Sequence, residues 1–82
     1  MGTGMLKGHI QDGPFESEVI LTFKDEKGRE VSVIAPRSLV GGQAIRVRIL
    51  ATAAGRSLVE LPGDVFGAGQ EVTVREEILE AV

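Results

Sequence analysis

Apolar and polar residues alternate with a period of two through most of this chain. In "EVILTFK" the side chains of Val19, Leu21 and Phe23 fall on one face of an extended segment, and "EVSVIA" and "AIRVRILA" follow the same pattern. Successive side chains of a strand point to opposite faces, so this period is typical of half-buried β-strands. Gly28 and Gly55 lie between such segments, where tight turns need glycine. The pattern predicts an all-β chain.

Six segments carry the strand pattern: 5–11, 18–24, 30–35, 44–51, 56–61 and 71–75. In the tail "REEILEAV" the period changes, because Ile78 and Val82 are four residues apart; this predicts a short helical turn, with a strand continuation as the alternative. Six short strands predict a small single-domain barrel, or a strongly curved antiparallel sheet, over residues 1–82. We expect residues 1–4 to be disordered or a remnant of cloning.

An internal repeat constrains the topology further. Residues 32–48 align with residues 58–75, and the alignment matches Pro36 with Pro62 and Gln43 with Gln70. Each copy contains a strand, a proline that ends the ladder, an apolar pair, a glycine-rich reversal and a second strand. The sequence therefore predicts a pseudo-twofold pair of strand-crossover-strand units. Arg37 and Ser38 of the first copy become Gly63 and Asp64 in the second, and a function in either loop is expected at these unmatched positions.

The size of the chain limits its core. A chain of 82 residues without cysteine buries only about 60% of its unfolded surface and has no disulfides to compensate. The apolar runs are too short for a membrane span, and the first residues lack the pattern of a secretory signal. We therefore expect a cytoplasmic protein that gains stability from a partner chain.

A second apolar face supports self-association. The strand faces opposite the predicted core carry one apolar residue each among polar neighbours: Ile20, Ile34, Leu50 and Leu58. Contiguous exposed apolar residues usually mark interfaces, so these four are candidates for a homo-oligomeric contact, in the simplest case a dimer. The alternative is that both faces of each strand are partly covered within one chain.

Charge is distributed unevenly along the sequence. Residues 1–30, 31–59 and 60–82 carry formal charges of −2, +4 and −5, and opposite segments of identical chains can pair across a symmetric contact. Arg46, Arg48 and Arg75 are candidates for contacts to an anion or a nucleic acid. A net charge of −3 and a content of only three phenylalanines argue against nucleic-acid binding as the main function.

Residues suited to catalysis are scarce. The chain has one histidine, His9, and no cysteine, tyrosine or tryptophan. His9 is predicted to be a solvated surface residue, and we expect no catalytic residue, no metal site and no cofactor.

Parts of the chain resemble known small β proteins. The segment "VTVREEILEAV", Val72 to Val82, is similar to the last strand and the start of the helix in the carbon storage regulator family, and "IRVRIL" is similar to that family's preceding strand. The resemblance covers less than half of the chain. It implies a dimer that binds messenger RNA, with Arg75 as the one candidate contact. The proline, valine and glycine spacing around residues 61–74 also resembles swapped-hairpin barrels of the transition-state regulator type.

The sequence thus predicts a noncatalytic interaction module that associates with itself. A small nucleic-acid-binding regulator is the alternative, and an enzyme is the third hypothesis.

Overall fold

The computed structural model describes residues 2–82, which form ten strands and two 3-10 turns. The strands are β1 (Gly2–Lys7), β2 (His9–Asp12), β3 (Glu18–Lys24), β4 (Glu30–Pro36), β5 (Val40–Gly41), β6 (Ala44–Ala53), β7 (Arg56–Glu60), β8 (Asp64–Phe66), β9 (Glu71–Arg75) and β10 (Leu79–Ala81), and the turns are Arg37–Leu39 and Glu76–Ile78.

These strands make two antiparallel sheets. Sheet A has the order β10-β1-β6-β7-β9, with β5 also paired to β6, and sheet B has the order β2-β3-β4-β8. The all-β prediction is confirmed, and residues 2–82 contain no α-helix. The predicted barrel is not found, because both sheets are open in the described part of the chain.

The division between the two sheets falls at Gly8. The pattern of residues 5–11 predicts one strand, but β1 belongs to sheet A and β2 to sheet B. A side chain at Gly8 would place its first carbon 2.5 Å from the carbonyl oxygen of Thr22, so the backbone passes β3 too closely for any residue but glycine. One continuous segment thereby contributes to both sheets.

The two ends of the chain lie side by side in sheet A. Gly2 to Gly4, which were expected to be disordered, are the first residues of β1, and Gly4 pairs with Val47 on one side and Ala81 on the other. The Val82 amide also donates to the carbonyl oxygen of Thr3 at 3.0 Å. Residues 2–4 therefore belong to a strand, the alternative that they are a remnant of cloning stays a prediction, and Met1 lies outside the described residues.

Both sheets contribute to one apolar core. The predicted inward residues of the central strands are buried, and only Ile10 and Ile49 among the inward residues are partly exposed. Ile49 precedes an irregularity in the pairing of β6 with β7, which releases it from full burial. The buried apolar residues are Leu6, Val19, Leu21, Phe23, Val31, Val33, Ala35, Ala44, Ile45, Val47, Val59, Leu61, Val72 and Val74.

The C-terminal segment combines both predicted alternatives. Glu76–Ile78 form a single 3-10 turn, and Leu79–Ala81 then continue as β10 along β1. Val72 to Val82 is thus strand, turn and strand, and the start of an α-helix that the carbon storage regulator resemblance implies is absent from these residues.

The two aligned copies follow different paths, so the predicted pseudo-twofold repeat is not confirmed. In the first copy, β5 forms a hairpin with β6 inside sheet A. In the second copy, β8 leaves sheet A and pairs with β4 in sheet B. The matched glutamines differ as well: the side chain of Gln70 donates to the carbonyl oxygens of Leu61 at 2.8 Å and Gly63 at 2.7 Å, whereas Gln43 accepts a bond from Gly8 through its backbone.

Asp25 fixes the turn between β3 and β4. Its carboxylate accepts hydrogen bonds from the amides of Lys27 and Arg29 and from Nε of Arg29, each at 2.9 Å. Burial by itself would raise the pKa of Asp25, but these hydrogen bonds and the charge of Arg29 outweigh it and lower the pKa below its ordinary value of 3.8. The ionised carboxylate therefore stabilises the folded chain.

This lowered pKa predicts a pH-dependent effect of Asp25→Asn. A depressed folded-state pKa contributes stability above the unfolded-state pKa of about 3.9, and this contribution is lost as the pH falls through the folded-state value. We expect the variant to unfold at a lower urea concentration than the parent at pH 7, and the difference to shrink as the pH falls below about 4.

The matched control is Glu77→Gln, which removes an exposed carboxylate from the C-terminal turn. Urea denaturation followed by circular dichroism between pH 2 and pH 7 would be the measurement. If the urea midpoints of Asp25→Asn and the parent differed by the same amount at every pH in this range, the lowered pKa of Asp25 would be contradicted.

Candidate functional site

The outward face of sheet B carries a group of apolar side chains. Ile20 of β3 and Ile34 of β4 are directly opposite each other, and both alternate with buried core residues, so they point away from the core. Phe66 of β8 pairs with Ser32 and is 56% exposed. We call Ile20, Ile34 and Phe66 the outer apolar patch.

Polar side chains lie next to this patch, and one of them is charged: Asp64 of β8 is exposed and directly opposite Ile34. Thr22 and Ser32 are directly opposite each other on the same face, and their hydroxyl groups share a hydrogen bond of 3.0 Å. Gln11 of β2 pairs with Ile20. A partner that covers these residues would bury hydroxyls that already have a hydrogen-bond partner, which removes much of the usual penalty for burying polar groups.

The other two predicted interface residues lie on sheet A. Leu58 alternates with buried Ser57 and Val59 on β7 and therefore faces outward, and Leu50 lies at the irregularity between Ile49 and Ala51 on β6. The structure thus brings Ile20 and Ile34 together and separates them from Leu50 and Leu58. The sequence pattern did not identify Phe66 as an outward residue, because Phe66 lies outside the six predicted strands.

The predicted anion-binding arginines do not form one cluster. Arg46 and Arg48 alternate with buried Val47 on β6, but Arg48 lies 3.5 Å from the carboxylate of Glu60. Arg75 lies on β9, directly opposite Arg56 of β7, and Arg56 pairs in turn with Ala53. Arg75 therefore lies two strands away from β6. Along the strand direction it is level with Ala53, five residues beyond Arg48.

Acidic groups neutralise much of the charge around these arginines. Glu60 pairs with Glu71 across β7 and β9, beside Arg48. Glu26 lies 3.3 Å from Arg56 through its carboxylate and accepts a bond of 3.4 Å from Arg75 through its backbone oxygen. Neighbouring carboxylates repel phosphate, so this arrangement gives nucleic-acid binding little support.

A second exposed feature lies at the end of sheet B, in the loop of residues 13–17 between β2 and β3, which we call the Phe15 loop. Its phenylalanine is 70% exposed. The loop is closed by two backbone hydrogen bonds, from the amide of Gly13 to the oxygen of Glu18 at 3.1 Å and from the amide of Glu18 to the oxygen of Phe15 at 3.0 Å.

Arg37 holds this loop from the opposite side. Nε of Arg37 donates to the backbone oxygen of Glu16 at 2.7 Å, and Nη2 donates to Asp12 Oδ1 at 3.1 Å and to the backbone oxygen of Glu18 at 3.2 Å. The Arg37 amide donates to the oxygen of Ser17 at 2.7 Å. One residue thus fixes four points of the loop and of the strand ends beside it.

An open groove of about 490 Å³ runs beside this loop and is lined by Asp12, Gly13, Pro14, Phe15, Glu16 and Arg37. Of these residues the sequence comparison marked only Arg37, as an unmatched position between the repeat copies. Gly63 is the counterpart of Arg37 in the second copy. Its φ of +96° allows the backbone to turn at this position. Phe15 could have been noticed because it is, with Phe66, one of two aromatic residues outside the predicted strands.

Groups suited to metal binding or catalysis do not converge in the described structure. Among residues 2–82, no three histidine, aspartate or glutamate side chains are placed to hold one metal ion. His9 is exposed on β2, opposite Thr22. No helix in the described residues has the length and apolarity that a membrane crossing requires.

Comparison with known proteins gives no relatives for this arrangement. No family model matches the chain, and it has no significant match among curated proteins or solved structures.

Proposed function

We propose that this protein is a noncatalytic interaction module that associates with itself through the outer apolar patch. The observation that supports this most directly is the position of Ile20 and Ile34, which are directly opposite each other on a face turned away from the core. Phe66 extends the apolar surface on the neighbouring strand and is more than half exposed. Full burial of an exposed side chain of this size contributes about 1.5–3 kcal/mol, and Ile20 and Ile34, which are already half-buried, contribute less than Phe66.

A second copy of the chain suits this patch for two reasons. A twofold contact requires a surface that is complementary to itself, and the outer apolar patch supplies an apolar centre for such a contact. The core of the monomer is small, so the additional burial raises the stability of a chain of this size.

Ile34→Lys tests the proposal. A twofold interface contains each residue twice, so the substitution places two lysines in the contact and should weaken association by at least about 100-fold. In sedimentation equilibrium, we expect the parent protein to reach twice the 8.7 kDa mass of the chain at high micromolar concentration. The variant should remain at the mass of one chain.

Leu50→Lys is the matched control, because Leu50 is also partly exposed but lies on sheet A. It should leave the dimer intact. If Leu50→Lys dissociated the dimer and Ile34→Lys did not, the interface would lie on sheet A. A parent protein that stays at 8.7 kDa at every concentration would refute self-association.

A further inference from the structure

The Phe15 loop exposes an aromatic side chain on a fixed backbone. Phe15 is 70% exposed, so most of its apolar surface contributes nothing to the core. Yet the loop has a closed backbone, and Arg37 donates two hydrogen bonds to the loop and two to the strand ends beside it. The network therefore orders a loop whose largest side chain faces solvent.

Such an arrangement favours binding. An aromatic residue whose backbone is already fixed loses little conformational freedom when a partner covers it, and buried aromatic side chains supply much of the free energy at protein interfaces. The open groove beside Phe15, about 490 Å³, leaves room for a side chain of a partner.

The charges around the groove indicate which kind of partner it can bind. Asp12 and Glu16 line it with one arginine, so its formal charge is −1. Arg37 directs three of its hydrogen bonds to backbone oxygens and one to Oδ1 of Asp12, whose side chain is 91% exposed. Among the described residues, Oδ2 of Asp12 and the carboxylate of Glu16 accept no hydrogen bond. An incoming cation would meet these two carboxylates beside the exposed ring of Phe15.

We infer that the groove between Phe15, Asp12 and Glu16 binds an arginine or lysine side chain from an extended segment of another protein. The cation lies over the Phe15 ring and pairs with the free carboxylate oxygens, and apolar neighbours of the cation cover the edge of the ring. This site shares no residue with the outer apolar patch.

Binding of a fluorescein-labelled nonapeptide of alternating arginine and leucine tests the inference by fluorescence anisotropy. Phe15→Ala should weaken binding by about tenfold or more, and the double variant Asp12→Asn, Glu16→Gln should weaken it by a similar factor and reduce its salt dependence. Phe66→Ala, which removes the other exposed phenylalanine, should leave the affinity unchanged. Amide shifts of Phe15 and Glu16 in NMR spectra should saturate with the same affinity.

Several results would overturn the inference. A nonapeptide with glutamine in place of arginine that binds equally well would show that the cation is irrelevant. Loss of peptide binding in folded Ile34→Lys would place the peptide on the outer apolar patch. Phe15-dependent binding to phosphatidylcholine vesicles without peptide binding would identify a lipid surface as the occupant.

Discussion

Gly63→Ala should destabilise the folded chain by roughly 3–5 kcal/mol, because it combines backbone strain with a steric overlap. Gly63 has φ +96°, a region that residues with a side chain rarely adopt. A methyl group there would also overlap the carbonyl oxygen of Ile34. Asp64 pairs with Ile34, so the clash falls where the chain leaves sheet A and enters sheet B.

Gly55→Ala separates the two causes. Gly55 also has a positive φ, +77°, but nothing lies within 4 Å of the position that its methyl group would occupy. Gly55→Ala should reduce the free energy of unfolding by only about 1 kcal/mol, the contribution of the strained backbone alone. Urea denaturation followed by circular dichroism gives both values, and equal losses would show that the overlap with Ile34 is relieved without cost.

Leu21→Ala is the second large expected effect. Leu21 is fully buried in the centre of β3, and removal of such a side chain costs about 3–5 kcal/mol, since it leaves a cavity. Chains of this size lie near the lower end of protein stability, about 5 kcal/mol, so most of the margin is lost. We expect the urea midpoint to fall by about 3 M.

Thr22→Ala is the control for this substitution. Thr22 is the next residue along β3, faces outward and shares one hydrogen bond with Ser32. Loss of this hydrogen bond should reduce the free energy of unfolding by about 1 kcal/mol. A reduction of similar size for Leu21→Ala would mean that the two sheets do not pack around Leu21.

The alternation of side chains predicted the longer strands and the core, because burial on one face leaves a direct mark on the sequence. It predicted six strands where residues 2–82 form ten, since it missed the short strands β5 and β8, gave β10 only as an alternative and joined β1 to β2. Leu21, Val33 and Val47 are buried where the period places them. The division at Gly8 could not be predicted in this way. It depends on the approach of a backbone oxygen from another strand, and a glycine within a strand pattern does not reveal which neighbour comes close.

The repeat shows a second limit of the pattern. Pro62, Gly67 and Gln70 match their counterparts in the first copy, yet β8 pairs with β4 instead of following the path of β5. Local residues specify turns, whereas the choice of pairing partner depends on contacts far apart in the sequence. Ile20 and Leu58 lie on different sheets for the same reason, because strand pairing depends on contacts far apart in the sequence.

The candidate sites were predicted in part. Alternation identified Ile20 and Ile34 as outward apolar residues, and the mismatch between the repeat copies identified Arg37. Phe15 was not predicted as a contact residue, because its exposure depends on the loop that Arg37 fixes. Arg46 and Arg48 share a face as predicted, and a role in nucleic-acid binding remains a hypothesis that Glu60 and Glu71 disfavour.

The adjacency of the chain ends has a topological consequence. Thr3 and Val82 are joined by a hydrogen bond across neighbouring strands, so the polypeptide leaves the fold within one strand spacing of the point where it enters. A chain with this geometry can be inserted into a surface loop of a larger protein without separating the two sides of that loop. It can also be joined end to end by a short linker and opened at the exposed turn of Ala54 and Gly55, which would give a permuted molecule with the same two sheets.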